Sequence, residues 1–172
     1  VYDYRGGAAG VIGTDIAARA TPDGYTVLFV STSHTMNEAI RKVPYDTLGS
    51  FAPVAMFGRG PNVLVANTAF PAKTLPELIT MAKASPGKIA YASTGVAGMH
   101  HFGGELLKKL AGIDLAHVAY KGGGPAQFAV LSGGVPMMFS TMPLAIPQIR
   151  AGKLRPLGVG GATRSPLLPQ VP

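Results

Sequence analysis

Three stretches carry residue types suited to chemistry: Ser31-Thr32-Ser33-His34, Ser93-Thr94-Gly95-Val96-Ala97-Gly98 running on to His100-His101, and Tyr120-Lys121-Gly122-Gly123-Gly124. They share hydroxyls, glycines that bare the backbone amides, and isolated imidazoles or cations, which together are equipment for holding a small anion. Ser31 and Ser93 each lie near a histidine, yet neither sits in a nucleophile elbow or has an acid to orient a base, so no catalysis is expected. His100 and His101 would project about 100° apart on a helix, with no carboxylate or third imidazole at a ligand spacing, so no metal is expected either. The run from Gly7 through Gly10 to Gly13 imitates a dinucleotide fingerprint. It lacks a complete preceding strand and an acidic residue at the ribose-binding distance, and it reads as a tight turn; no cofactor is expected.

The elements that must position these stretches follow from periodicity. Ile89 and Tyr91 mark a short strand, and Met99, Phe102, Leu106 and Leu110 recur at helical spacing, with Lys108 and Lys109 at the negative end and Gly112 as a stop. The open start of that helix faces the Ser93–Gly98 loop, where its unpaired N–H groups suit a carboxylate or phosphate. Tyr25 to Val30 reads as a buried strand leading into Ser31–His34 and a short helix around Met36 to Arg41. Leu115 to Ala119 reads as a strand leading into Tyr120–Gly124 and a helix opened by Pro125.

Elsewhere, Val1–Tyr4 reads as the end of a strand and Val11–Ala20 as a helix. Phe51–Phe57 and Asn62–Ala66 read as strands flanking a candidate hinge at Gly58–Pro61. A helix over Leu75–Ala84 is opened by a Thr74/Glu77 capping box. Val135–Ser140, Pro143–Ala151 and Leu154–Val159 read as strand, helix and strand, followed by an extended, proline-rich tail. Strand-helix alternation predicts an α/β fold with a mainly parallel sheet and right-handed crossovers. In such a sheet the three loops share one edge, where solutes bind.

Composition agrees. Hydrophobic residues make up 47% of the 172 and charged residues 13%, which excludes a disordered chain and predicts strands buried on both faces. The formal charge of +7 comes from 15 Lys and Arg scattered in ones and twos, with no basic run, so small anions rather than nucleic acid are the expected partners. There is no cysteine and no apolar run of membrane-spanning length.

The runs GAAGVIGTDIAARATPDGYTVLF, NEAIRKVPYDTLGSFAPV, PGKIAYASTGVAGMHHFGGELLKKLAGIDLAHVAYKGGGPA and IRAGKLRPLGV with RSPLLPQVP resemble the Bug/TctC family, the extracytoplasmic solute receptors of tripartite tricarboxylate transporters. The blocks PDGYT, PYD, YKG, and GKLR followed by LP and VP occur in that order along nearly the whole chain.

The resemblance implies a periplasmic-binding-protein type II-like fold: two α/β lobes joined by crossing strands and closing over a carboxylate-bearing metabolite. It implies a periplasmic location and membrane components of a tripartite transporter as partners. Residues 63–158 are then one nearly complete lobe, 1–62 a partial first lobe, and 159–172 a return segment toward it. It also implies that a signal peptide, a first strand and a ligand-gripping loop precede these residues and that more chain follows them. Its ligand-contacting loops map onto Ser31, Thr32, Ser33 and His34; onto Ser93, Thr94, Gly95 and Gly98 with His100 or His101 beside them; and onto Tyr120, Lys121 and Gly122. Ser140 stands where many relatives carry Asp, which favours a plain organic acid over an amino acid. Two other functions are weighed against the receptor: the effector-binding domain of a transcriptional regulator, which shares the fold by analogy, and an anion-processing enzyme, which would need a general base that is not evident.

Overall fold

Val63, Leu64, Val65 and Ala66 are buried one after another without alternation, so β1 (Asn62–Asn67) has apolar material against both faces. A computed structural model describing all 172 residues shows how. β1 lies inside a five-stranded sheet with β2 (Ala90–Ser93), β3 (Ala116–Ala119), β4 (Met137–Thr141) and β5 (Leu154–Val159), in the order β3-β2-β4-β1-β5. β2 pairs in parallel with β3 and β4, while β1 is antiparallel to β4 and β5. Four strands therefore run one way, as a mainly parallel sheet requires, and β1 alone runs back between β4 and β5.

Helices close both faces. α5 (Gly123–Leu131) and α6 (Met142–Arg150) cover one, bringing Val130 and Ile146 against Val63, Val65 and Met138; Leu168 and Val171 of the tail join this core. α3 (Leu75–Ala84) and α4 (Met99–Ala111) cover the other, where Leu78 and Leu107 meet Leu64, Tyr91 and Met137. α3 begins where its cap predicts: the Glu77 amide donates to the Thr74 hydroxyl at 3.4 Å. The Glu77 carboxylate reaches one residue further back than a capping box requires, accepting from the Lys73 amide at 2.7 Å.

Two expectations fail. The helical stripe Phe102, Leu106, Leu110 faces outward, and α4 meets the sheet instead through Gly103, Gly104 and Leu107. The two glycines let the helix backbone settle onto the rings of Tyr91 and Phe139, and bulky side chains on that face would hold it off. Second, Val1–Tyr4, Tyr25–Val30 and Phe51–Phe57 form no strands. A strand needs a neighbour for its N–H and C=O groups. None of the five strands lies beside these segments, and Tyr25, Val27, Phe29 and Phe57 are largely exposed. Phe29 and Phe57 touch edge to face with ring centres 5.3 Å apart, so two of these segments do meet.

The N-terminal part otherwise forms a 3-10 turn at Ala8–Gly10, α1 (Val11–Ala18) and α2 (Ser33–Ile40). The loop after α2 is anchored by Tyr45, which is buried and stacks on His34, and by Asp46, whose Oδ1 accepts the amides of Gly49 and Leu48 at 2.8 and 2.9 Å.

Candidate functional site

Because β2, β3 and β4 are parallel, Ser93, Ala119 and Thr141 end at one edge of the sheet, and α4, α5 and α6 all start there. Helix starts carry partial positive charge, so this edge has the polarity for an anion. A crevice of about 1040 Å³ opens above it, between the Thr94–Val96 and Ala119–Gly122 loops on one side and residues 1–10, 25–31 and the start of α2 on the other. A smaller cleft of about 540 Å³ lies at the opposite end, beside Asn67, Leu131 and Gly152, where helices finish and the polarity is wrong for an anion.

Of the residues singled out from sequence, Ser31, Ser33, His34, Thr94, Gly95, Tyr120, Lys121 and Gly122 line the crevice. Thr32, Ser93, Gly98, His100 and Ser140 do not; Ser93, His100 and Ser140 are buried behind it. Gly95, at φ +132°, has the Tyr120 carbonyl and the Ala9 amide in van der Waals range of where a Cβ would stand. The two sides of the crevice therefore meet at Gly95, and glycine is the residue that fits there. Ala8, Ala9 and Ala97 are the non-glycine residues with positive φ, and all three lie at this junction. Local strain is thus concentrated at the site.

Most amides of the Ser93–Gly98 loop are already engaged. Gly95 N–H donates to Ser93 Oγ (3.1 Å), Ala97 N–H to His101 Nδ1 (3.1 Å), Gly98 N–H to the Gly95 carbonyl (3.2 Å), and Met99 N–H, the first of α4, to Ser33 Oγ (3.3 Å). Ser33 is therefore a cap supplied from across the crevice. His101 must leave Nδ1 unprotonated to accept from Ala97, which puts its proton on Nε2, facing Glu105 at 3.8 Å.

Behind the loop lies a polar network. Ser93 Oγ is 2.6 Å from His117 Nε2, the His117 ring lies against His101 at a tilt of 31° with centres 4.1 Å apart, and the Tyr91 hydroxyl donates to Glu105 at 3.0 Å. Burial raises the Tyr91 phenol, with Glu105 adding to the rise. Burial pushes the Glu105 carboxyl up but is outweighed by the Tyr91 hydroxyl and Lys108, which leave it below the usual carboxylate range. Burial holds the His117 imidazole below its ordinary value, with the nearby His101 adding to the effect. His100 is lowered by burial alone; its Nδ1 lies 3.0 Å from Thr94 Oγ1, while Nε2 has no partner.

The charged side chains lining the crevice are Asp3, Arg5, Arg41 and Lys121. Asp3 is taken by Arg5 at 2.8 Å, which leaves a surplus of two cations. Sequence reasoning missed Arg41, whose Nη2 donates to the Val96 carbonyl at 2.7 Å from 55 residues away, and it missed the Ala8–Gly10 turn as a wall. The cation ahead of the PYD block was visible, but nothing local announces its contact.

A family model described as "Tripartite tricarboxylate transporter family receptor" matches residues 1–172. Protein BugT of Bordetella pertussis is 37% identical over 175 residues, covering 100% of this chain and 54% of BugT. Among solved structures, a periplasmic transporter superposes with a TM-score of 0.93 at 42% identity, covering 99% of this chain and 58% of that one. R. palustris Rpa4515 with adipate gives 0.95 at 30%, covering 100% and 58%. MatC (Rpa3494) from Rhodopseudomonas palustris with bound malate gives 0.87 at 31%, covering 96% and 57%. The chain thus spans about half the length of the curated relatives it matches. It is a member of the tripartite tricarboxylate transporter receptor family.

Proposed function

We propose that these residues form part of a periplasmic receptor that captures a small carboxylate-bearing metabolite and presents it to the membrane components of a tripartite tricarboxylate-type transporter. The observation that carries this reading is the crevice at the helix-start edge of the sheet, with two cations that have no carboxylate partner and its single carboxylate already paired. The adipate and malate bound by two structural relatives support organic acids as the class of solute. Residues 63–158 act as one lobe, against which the tail residues Leu168 and Val171 also pack, and 1–62 contribute to the other. Ser31, Ser33, His34, Thr94, Gly95, Tyr120, Lys121 and Gly122 face the solute. Thr32, Ser93, Gly98, His100 and Ser140 hold those loops in place. Binding by amides, hydroxyls and cations asks for no catalytic residue and no cofactor.

The test is a thermal-shift screen followed by calorimetry on the complete reading frame that contains these residues. Adipate, malate or a related acid should raise the melting temperature, since a ligand that binds only the folded state stabilises it. Replacing Gly95 by Val should lower the affinity at least tenfold, by forcing a branched side chain into a positive φ between two backbones. Stabilisation by NAD or ATP with no response to any organic acid would defeat the receptor reading.

A further inference from the structure

Arg41 closes the C-terminal end of α2, half-buried, where a cation suits the helix carbonyls. One N–H of its guanidinium holds the Val96 carbonyl at 2.7 Å. The ion pairs of the chain join Arg5 to Asp3, Arg19 to Asp15, His101 to Glu105, and Lys108 to Glu105 and Asp114, so no carboxylate lies within pairing distance of Arg41. A guanidinium has five donors in a planar fork that matches a carboxylate in two-point contact. Here most of that fork is unspent at the wall of a crevice.

The neighbouring loop sharpens the point. Four of the amides around the start of α4 are consumed by Ser93, Gly95, His101 and Ser33. The loop alone therefore offers a solute fewer donors than a bare helix start would. The second cation without a carboxylate partner, Lys121, lies in the loop between β3 and α5. Two separate cations, each without a protein carboxylate, fit a solute with two separate negative charges.

We propose that Arg41 reads one carboxylate of a dicarboxylate solute while anchoring the Val96 carbonyl, so that preference for a dicarboxylate over a monocarboxylate of equal length resides in this side chain. The proposal rests on the receptor reading above and adds to it the residue that recognises the second charge. Arg41 is a specificity residue under this assignment, and its contact with Val96 presents the fork at a fixed height in the crevice.

The experiment is calorimetry on the complete reading frame with two matched pairs of acids: adipate against hexanoate, and malate against 2-hydroxybutyrate. Wild-type protein should bind the dicarboxylate of at least one pair more tightly. Arg41→Gln should weaken that dicarboxylate tenfold or more and shift its monocarboxylate partner by less than about twofold. Arg41→Lys keeps the charge without the fork and should fall between wild type and Arg41→Gln. A parallel loss for both members of the pair would reduce Arg41 to a prop for Val96 and overturn the assignment, as would unchanged affinities in both variants. Wild-type binding to none of the four acids would overturn this assignment together with the dicarboxylate form of the receptor reading, whereas an unaltered preference in Arg41→Gln overturns the Arg41 assignment alone.

Discussion

Behind the loop that faces the crevice, burial keeps His100 and His117 neutral below the pH at which free imidazoles charge. Both folded values lie under the ordinary 6.5, so as pH falls the unfolded chain takes up these protons first. The stability they contribute is complete above about 6.5 and is lost as pH drops through their folded values. Urea midpoints should therefore decline from pH 7.5 to pH 5, and His117→Gln, which keeps a polar partner for Ser93, should flatten part of that decline. Equal slopes in wild type and variant would remove His117 from the account. At this scale the sequence was partly legible: hydroxyls and glycines mark Ser93–Gly98 as a turn between strand and helix, and Thr94, Gly95 and Val96 of that turn do line the crevice. That Ser33 caps α4 and Arg41 holds Val96 depends on contacts 66 and 55 residues apart, which no local pattern encodes.

Among the elements, α3 and β5 lie where periodicity and capping put them, because their signals are local and agree with their burial. α4 was legible in extent, Met99–Ala111 with Gly112 at its end, but not in orientation. The apolar stripe outweighed the glycines on paper, whereas in the molecule Gly104 admits the Tyr91 ring to within 2.2 Å of where a Cβ would stand. Tyr91 is fully buried and tied to Glu105, so its ring has little room to retreat. Gly104→Ala should therefore cost about 1–3 kcal/mol in chemical denaturation. Leu110→Gln, on the outward face, should stay within about 0.5 kcal/mol. A large loss at Leu110 with none at Gly104 would restore the orientation read from periodicity.

For the whole molecule, the division is between residues with ladder partners and residues without. Tyr25–Val30 has the composition of a buried strand, yet composition states only what a segment would do beside a neighbour, and no strand of this sheet provides one. Hydrogen exchange should accordingly find slow amides in β1, β2 and β4, and fast amides across 25–30 and 51–57. Uniform protection throughout would mean that those segments pair in solution. The reversed direction of β1 has a consequence for how the sheet is strung. β1 starts at the same edge where β5 finishes, and the Gly160 amide donates to the Asn62 carbonyl at 2.8 Å, so the chain enters and leaves this sheet through one doorway. The Pro172 carbonyl accepts from Val159 N–H beside it. In topological terms, residues 62–172, with Leu168 and Val171 in the core, form a closed loop whose ends lie together, the arrangement that lets a unit be spliced into a host chain or rejoined end to end without disturbing its interior.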